Sequence, residues 1–177
     1  MEDLSLHILD IAENSVRADA RLIGITVTKD AGHDLLVIEV VDDGTGMDAG
    51  TLAKVRDPFF TTKHKKTGLG IPLLTQAAEQ AGGDLAIESA PGKGTRVTVT
   101  FRWGHPDRPP VGNIAETLLT LIAGHPDRDY IYEERNGSLS FGFDSRELKS
   151  DLDNVPITEP EVLSAVRKLL RENISIR

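Results

Sequence analysis

Leu35-Leu36-Val37-Ile38-Glu39-Val40-Val41 runs directly into Asp42-Asp43-Gly44-Thr45-Gly46-Met47, and the reading of that junction decides the fold. The first part is nearly continuous in apolar, β-branched residues, as a central strand is. The second part is a strand end that turns at once: a carboxylate, then glycines two and four residues later that let the backbone bend closely. On the N-terminal side, residues 22–29 alternate, with Ile23, Ile25 and Val27 on one face, as a half-buried strand does. Asp30-Ala31-Gly32-His33-Asp34 between the two is turn chemistry, so the strands form an antiparallel hairpin. Further back, Leu4, Ile8, Ile11, Ala12 and Ser15 recur at helical spacing within residues 3–18.

On the C-terminal side the spacing predicts a short helix over 48–55, a polar loop, and a helix over 69–81 ended by Gly82 and Gly83. Strands over 85–89 and 95–102 follow, joined by Pro91-Gly92-Lys93-Gly94. Helices laid over one sheet with antiparallel neighbours make an α+β fold, a two-layer α/β sandwich, over residues 1–102. Residues 103–110 hold Pro106, Pro109 and Pro110 and read as a linker, since such a segment is neither helix nor central strand. Residues 111–177 read as a small α/β unit, either a separate domain or a subdomain packed on the first. In it, a helix over 113–123 precedes a hairpin of 130–133 with 139–143, turning at Asn136-Gly137. A short helix over 145–152 and a last amphipathic helix running to Leu170 follow, the latter opened by a capping box of Thr158 and Glu161. Gly104-His105-Pro106-Asp107-Arg108 recurs as residues 124–128, which we read as reuse of one terminator.

With 177 residues the chain can bury a sizeable core. A net charge of −8 argues against nucleic acid as the principal partner. The absence of cysteine excludes disulfides and thiolate metal sites. No apolar run has the length of a membrane span, and an acidic Met1-Glu2-Asp3 start is unlike a signal peptide. The expectation is a cytoplasmic protein that engages neither membrane nor nucleic acid.

Four segments occur in a fixed order: His7-Ile8-Leu9-Asp10-Ile11-Ala12-Glu13-Asn14-Ser15, Asp42-Asp43-Gly44-Thr45-Gly46-Met47, Asp57-Pro58-Phe59-Phe60-Thr61-Thr62-Lys63 and Thr67-Gly68-Leu69-Gly70-Ile71. Together they resemble the N, G1, F and G2 boxes of the histidine-kinase-like (GHKL) ATPases, over about residues 1–102. The resemblance implies a Bergerat-type fold that binds ATP with Mg²⁺ and has no P-loop.

His7, Asp10, Asn14 and Arg17 fall at i, i+3, i+7 and i+10, so they are expected to share one polar stripe of the first helix. The resemblance gives Asn14 the role of Mg²⁺ ligand through its amide oxygen, suited to a hard cation. It makes Asp10 the acidic residue that activates a water or hydroxyl. Histidine kinases usually carry an amide there, and Asp10 departs from that pattern. His7 is expected to hydrogen-bond to Asp10 and orient it. With Ile8 rather than an acidic residue following, His7 is a poor phosphoacceptor. Glu13 stands off the stripe, as a surface residue or a reserve base. Asp42 matches the family's acceptor for the adenine amine, with Gly44 and Gly46 turning beneath the base, and Asp43 is read as solvated.

Lys63, His64, Lys65 and Lys66 form a positive cluster that abuts Gly68-Leu69-Gly70 at a helix start, where backbone N–H groups favour anions. Pro72 suits that first turn. The segment resembles a short ATP lid, with Phe59 and Phe60 as packing anchors and Lys63, Thr67, Gly68, Leu69 and Gly70 toward the phosphates. Lys66 replaces the family's first G2 glycine. Gly92-Lys93-Gly94-Thr95 resembles the last box; Thr95 either touches a phosphate or belongs to a tight turn.

Three functions follow: phosphotransfer from ATP to a separate protein partner, on histidine or serine/threonine; conformational ATP hydrolysis; or nucleotide sensing by a regulatory module. A lid of about seven residues and only some 65 residues after the linker disfavour the second. A dimerisation and phosphoacceptor hairpin is not expected before residue 1, and an acceptor is expected on another polypeptide or on a hydroxyl of the C-terminal part.

Overall fold

The computed structural model describes residues 3–55, 57 and 70–177. The chain runs α1 (Leu4–Arg17), β1 (Leu22–Asp30), β2 (Leu35–Asp42), α2 (Ala49–Lys54), α3 (Gly70–Gln80), β3 (Leu85–Ser89), β4 (Thr95–Arg102), α4 (Ile114–Gly124), β5 (Asp129–Asn136), β6 (Leu139–Asp144), α5 (Ser145–Asp151) and α6 (Pro160–Asn173). The six strands form one sheet in the order β3-β4-β2-β1-β5-β6. β1 and β2 are the expected antiparallel hairpin, in register from Ile23 with Asp42 to Asp30 with Leu35. β4 runs antiparallel to both β2 and β3.

Residues 111–177 extend this sheet. β5 lies parallel to β1, Leu22 opposite Asp129 and Lys29 opposite Asn136, and β6 closes that edge antiparallel to β5. Parallel neighbours need a crossover, and the long route from β1 through β2, β3, β4 and α4 supplies it. The proline-rich segment brings the chain back to its start: Leu4 N–H donates to Pro110 O (2.9 Å) and Ser5 N–H to Val111 O (2.8 Å). Trp103 anchors the segment, with Lys29 Nζ 4.0 Å and Arg108 Cζ 4.3 Å from its ring centroid, both within cation–π range. The repeated pentapeptide makes the same turn twice, Arg108 N–H to His105 O and Arg128 N–H to His125 O, each at 3.1 Å.

One face of the sheet carries the core. Ile23, Ile25, Val27, Leu36, Ile38, Val40, Val97, Val99, Phe101, Tyr130 and Tyr132 are buried there against α1, α3 and α4. The alternate residues, such as Thr26, Thr28, Thr98 and Thr100, are partly exposed. Sheet alternation and the apolar stripe of each helix meet in a single core.

One local expectation changes. α6 begins at Pro160 behind Glu159, and no side chain caps it, so Thr158 and Glu161 form no capping box. A proline at the first position has no N–H to satisfy and already holds the helical φ. At the other end, the buried Glu134 carboxylate (2% exposed) holds the C-terminal segment. It accepts from Tyr132 Oη (2.9 Å), Ser175 N (2.8 Å), Ser175 Oγ (2.6 Å) and Ile176 N (3.3 Å).

Candidate functional site

α1 is placed by its apolar side, with Leu4, Ile8, Ile11 and Ala12 buried, and by an N-cap in which Asp3 accepts from Leu6 N. That rotation leaves Asp10, Asn14 and Arg17 exposed on one side. His7 does not join them. It is 6% exposed, and its Nδ1 has no hydrogen-bond partner. The reason is angular: His7 stands three residues after Leu4 and four before Ile11, which puts it at the edge of the buried stripe. Its Nδ1 therefore does not orient Asp10. Asn14 Oδ1 accepts from Arg17 Nη1 at 2.9 Å, a contact at the surface that a metal ion can replace.

Asp42 ends β2 and is 9% exposed. Both carboxylate oxygens are held. Oδ1 accepts from Gly44 N (2.9 Å) and Thr95 N (3.2 Å), and Oδ2 accepts from Ser15 Oγ (2.6 Å). Ser15 lies on α1 and is 3% exposed, so one buried hydroxyl ties the helix bearing Asp10 and Asn14 to the strand-end carboxylate. Sequence patterning placed Ser15 among apolar positions; the signal available was a hydroxyl on an otherwise apolar stripe. Asp43, expected to be solvated, is exposed but has work in the fold: its Oδ1 accepts from Arg21 N (2.7 Å) and Leu22 N (2.9 Å) at the start of β1.

The turn after Asp42 is built against the β3–β4 turn. Thr45 N–H donates to Ala18 O (2.8 Å), Gly92 N–H to Thr45 O (2.7 Å) and Met47 N–H to Ser89 Oγ (2.9 Å). Gly46 has φ +69° and Gly94 φ +73°. A Cβ at Gly46 would overlap the Ala90 carbonyl, and one at Gly94 the Asp42 carbonyl, so both positions require glycine. At Gly44, a Cβ would lie 2.7 Å from Ala18 O. Thr95 belongs to this turn: its N–H reaches Asp42, and its Oγ1 lies 2.9 Å from Ser89 Oγ.

Asp10 faces the start of α3. A Cβ built on Gly70 would lie 3.3 Å from Asp10 Oδ2. Asp10, Asn14, Asp42 and Gly70 thus border one region, between α1, the end of β2 and the N-terminus of α3. Lys63, Thr67, Gly68 and Leu69, with Phe59 and Phe60, lie outside the described residues. Among the described residues no group of three or more His, Asp and Glu side chains is gathered for a metal. Glu13 points to the C-terminal part, where its carboxylate meets His125 Nε2 at 3.0 and 3.1 Å.

Comparison with known proteins identifies the family. Residues 2–105 match the family described as histidine kinase-, DNA gyrase B- and HSP90-like ATPase, and the chain belongs to that family. It is 37% identical over 89 residues to sporulation kinase C of Bacillus subtilis (strain 168), covering 49% of this chain and 20% of that one. It is 39% identical over 92 residues to the sensor histidine kinase ZraS of Klebsiella oxytoca, covering 51% and 20%. The chain therefore matches about a fifth of the length of these relatives. Among solved structures, the N-terminal domain of a DNA repair protein superposes with a TM-score of 0.56 at 14% identity, over 81% of this chain and 52% of that one. That likeness shows the fold, and its span exceeds the family-matched residues.

Proposed function

We propose that this member of the histidine-kinase-like ATPases binds ATP with Mg²⁺ between α1, the end of β2 and the start of α3, and transfers the γ-phosphate to a separate protein partner. The observation that carries the reading is the juxtaposition just described. A buried, immobilised acceptor, Asp42, lies one hydrogen bond from the helix that exposes Asp10 and Asn14. Asp42 takes the adenine amine, and Gly44 and Gly46 allow the backbone to pass closely beneath the base. Asn14 would offer one amide oxygen to Mg²⁺, a hard cation that would offset the phosphate charge.

Gly70 offers its backbone N–H at the start of α3 to the phosphates, and by the family resemblance Lys63, Thr67, Gly68 and Leu69 are the further candidates for that contact. Asp10, beside that helix start, accepts the proton of an attacking hydroxyl or water. The bond from γ-phosphorus to the bridging oxygen breaks as the bond to the nucleophile forms, and ADP leaves. With a histidine acceptor, Asp10 instead orients an imidazole that needs no base. The partner is a histidine- or hydroxyl-bearing protein.

A second reading, an ATP-hydrolysing or nucleotide-sensing module that binds a partner without phosphorylating it, is favoured by one observation. Residues 111–177 share the sheet and grip α1 through Thr117 Oγ1 to Ser5 O (3.0 Å) and Glu13 with His125, so movement of α1 is transmitted there. Incubation with γ-labelled ATP, with and without a lysate of the source cell, separates the two. Label on a second protein supports transfer, and its acid lability distinguishes phosphohistidine from phosphoserine. Free phosphate with no labelled protein supports the second reading, and no nucleotide binding in calorimetry overturns both.

A further inference from the structure

Ser15 carries a role that the sequence did not assign. A carboxylate offers about four lone-pair positions. On Asp42, Oδ1 uses two for the N–H groups of Gly44 and Thr95, and Oδ2 uses one for the Ser15 hydroxyl. One position remains, on the oxygen that Ser15 holds. Ser15 has a single proton, and the competing acceptor, Ile11 O, is 3.3 Å away against 2.6 Å for Asp42 Oδ2. The shorter bond, to an ionised partner, is the stronger, so the hydroxyl is committed to Asp42.

We infer that Ser15 is a positioning residue for base recognition: by filling one lone pair of Asp42 Oδ2 it aims the one that is left, so the site accepts a single N–H donor from a 6-aminopurine and turns away a 6-oxopurine. This rests on the nucleotide reading above. A 6-oxo group in that place sets a carbonyl oxygen against a carboxylate oxygen, and a site built for a donor rejects a base without one. Without the hydroxyl, the carboxylate is still held through Oδ1 but turns more freely about its side-chain bond, and the aim is lost. Because Ser15 follows Asn14 on α1, the bond also ties the base site to the helix that presents the metal ligand.

The test is calorimetric titration of ATP, adenosine and inosine triphosphate into the parent, Ser15→Ala, Ser15→Thr, Asp42→Asn and the Ser15→Ala/Asp42→Asn double variant, each checked by thermal melting. Ser15→Ala is expected to weaken ATP and adenosine about five- to tenfold, as loss of one charge-assisted hydrogen bond would, and inosine triphosphate less than about twofold. Ser15→Thr, which keeps the hydroxyl, is expected to restore the preference, and Ser15→Ala to add little in the Asp42→Asn background. Should Ser15→Ala melt below the assay temperature, Ser15→Cys, nearly isosteric and a weak donor, carries the same comparison. Equal losses for ATP and inosine triphosphate, or an unchanged preference, overturn the role of Ser15 while the nucleotide site stands. A parent that binds neither ligand overturns the nucleotide reading itself.

Discussion

The Asp10 carboxylate faces Gly70: a methyl on Gly70 would stand 3.3 Å from Asp10 Oδ2. A candidate base thus lies beside the start of α3, which is expected to receive phosphate. Asp10→Asn keeps shape and reach but removes the base. Nucleotide affinity should stay within a few-fold, while hydrolysis or hydroxyl phosphorylation falls about 10²–10⁴-fold. Calorimetry with a γ-label release assay measures both. Undiminished phosphorylation of a histidine partner would remove Asp10 from the role of base.

Asn14 presents its amide oxygen at the surface, held by Arg17 Nη1 at 2.9 Å. Asn14→Ala should reduce Mg²⁺-dependent ATP binding and leave metal-free ADP binding nearly unchanged. Titrations with and without Mg²⁺ or chelator decide this. Equal losses in both conditions would make Asn14 a structural residue.

Asp42 serves the fold as well as the base. Asp42→Ala should abolish adenine preference and also leave the Gly44 and Thr95 N–H groups and the Ser15 hydroxyl without their acceptor, a loss of about 2–4 kcal/mol. Asp42→Asn, which retains one acceptor oxygen, should melt between the two. A melting temperature equal to the parent's for the alanine variant would show that these donors find other partners.

Glu134 should matter to stability and to no nucleotide measurement. Its buried carboxylate accepts four hydrogen bonds, three of them from Ser175 and Ile176. Glu134→Ala should cost about 2–4 kcal/mol and raise amide exchange at Ser175 and Ile176. Retained protection there would place the hold on the C-terminal segment in Ile174 and Ile176 packing alone.

The α4–α6 contact should weaken in acid. Partial burial raises the Glu116 carboxyl, but hydrogen bonds and charge from Arg167 (3.0 Å) and Arg171 (2.8 Å) outweigh it and hold it below its usual value. An acid so depressed adds stability in full above its unfolded value, and that contribution is lost as pH falls through the folded one. The melting difference between parent and Glu116→Gln should therefore be constant near neutrality and shrink below about pH 4.5. Solvent screening of these partly exposed groups keeps it under about 1 kcal/mol. A difference that persists in strong acid would assign it to packing.

Local order was written in the sequence. Alternation marked β1, apolar continuity marked β2, helical spacing marked α1, and Asn-Gly marked the β5–β6 hairpin, because periods of 2 and 3.6 and turn chemistry act over a few residues. The box order along the chain likewise singled out Asp10, Asn14, Asp42 and the glycines as candidates. Relations between distant segments were decided only by the tertiary structure. That β5 lies against β1, that His7 turns into the core while Asp10 turns out, and that Ser15 reaches across 27 positions to Asp42 depend on how α1 rolls on the sheet. That roll is set by the fit of Leu4, Ile8, Ile11 and Ala12 against the strands and α4, and close packing of this kind is a property of the assembled core rather than of any segment within it.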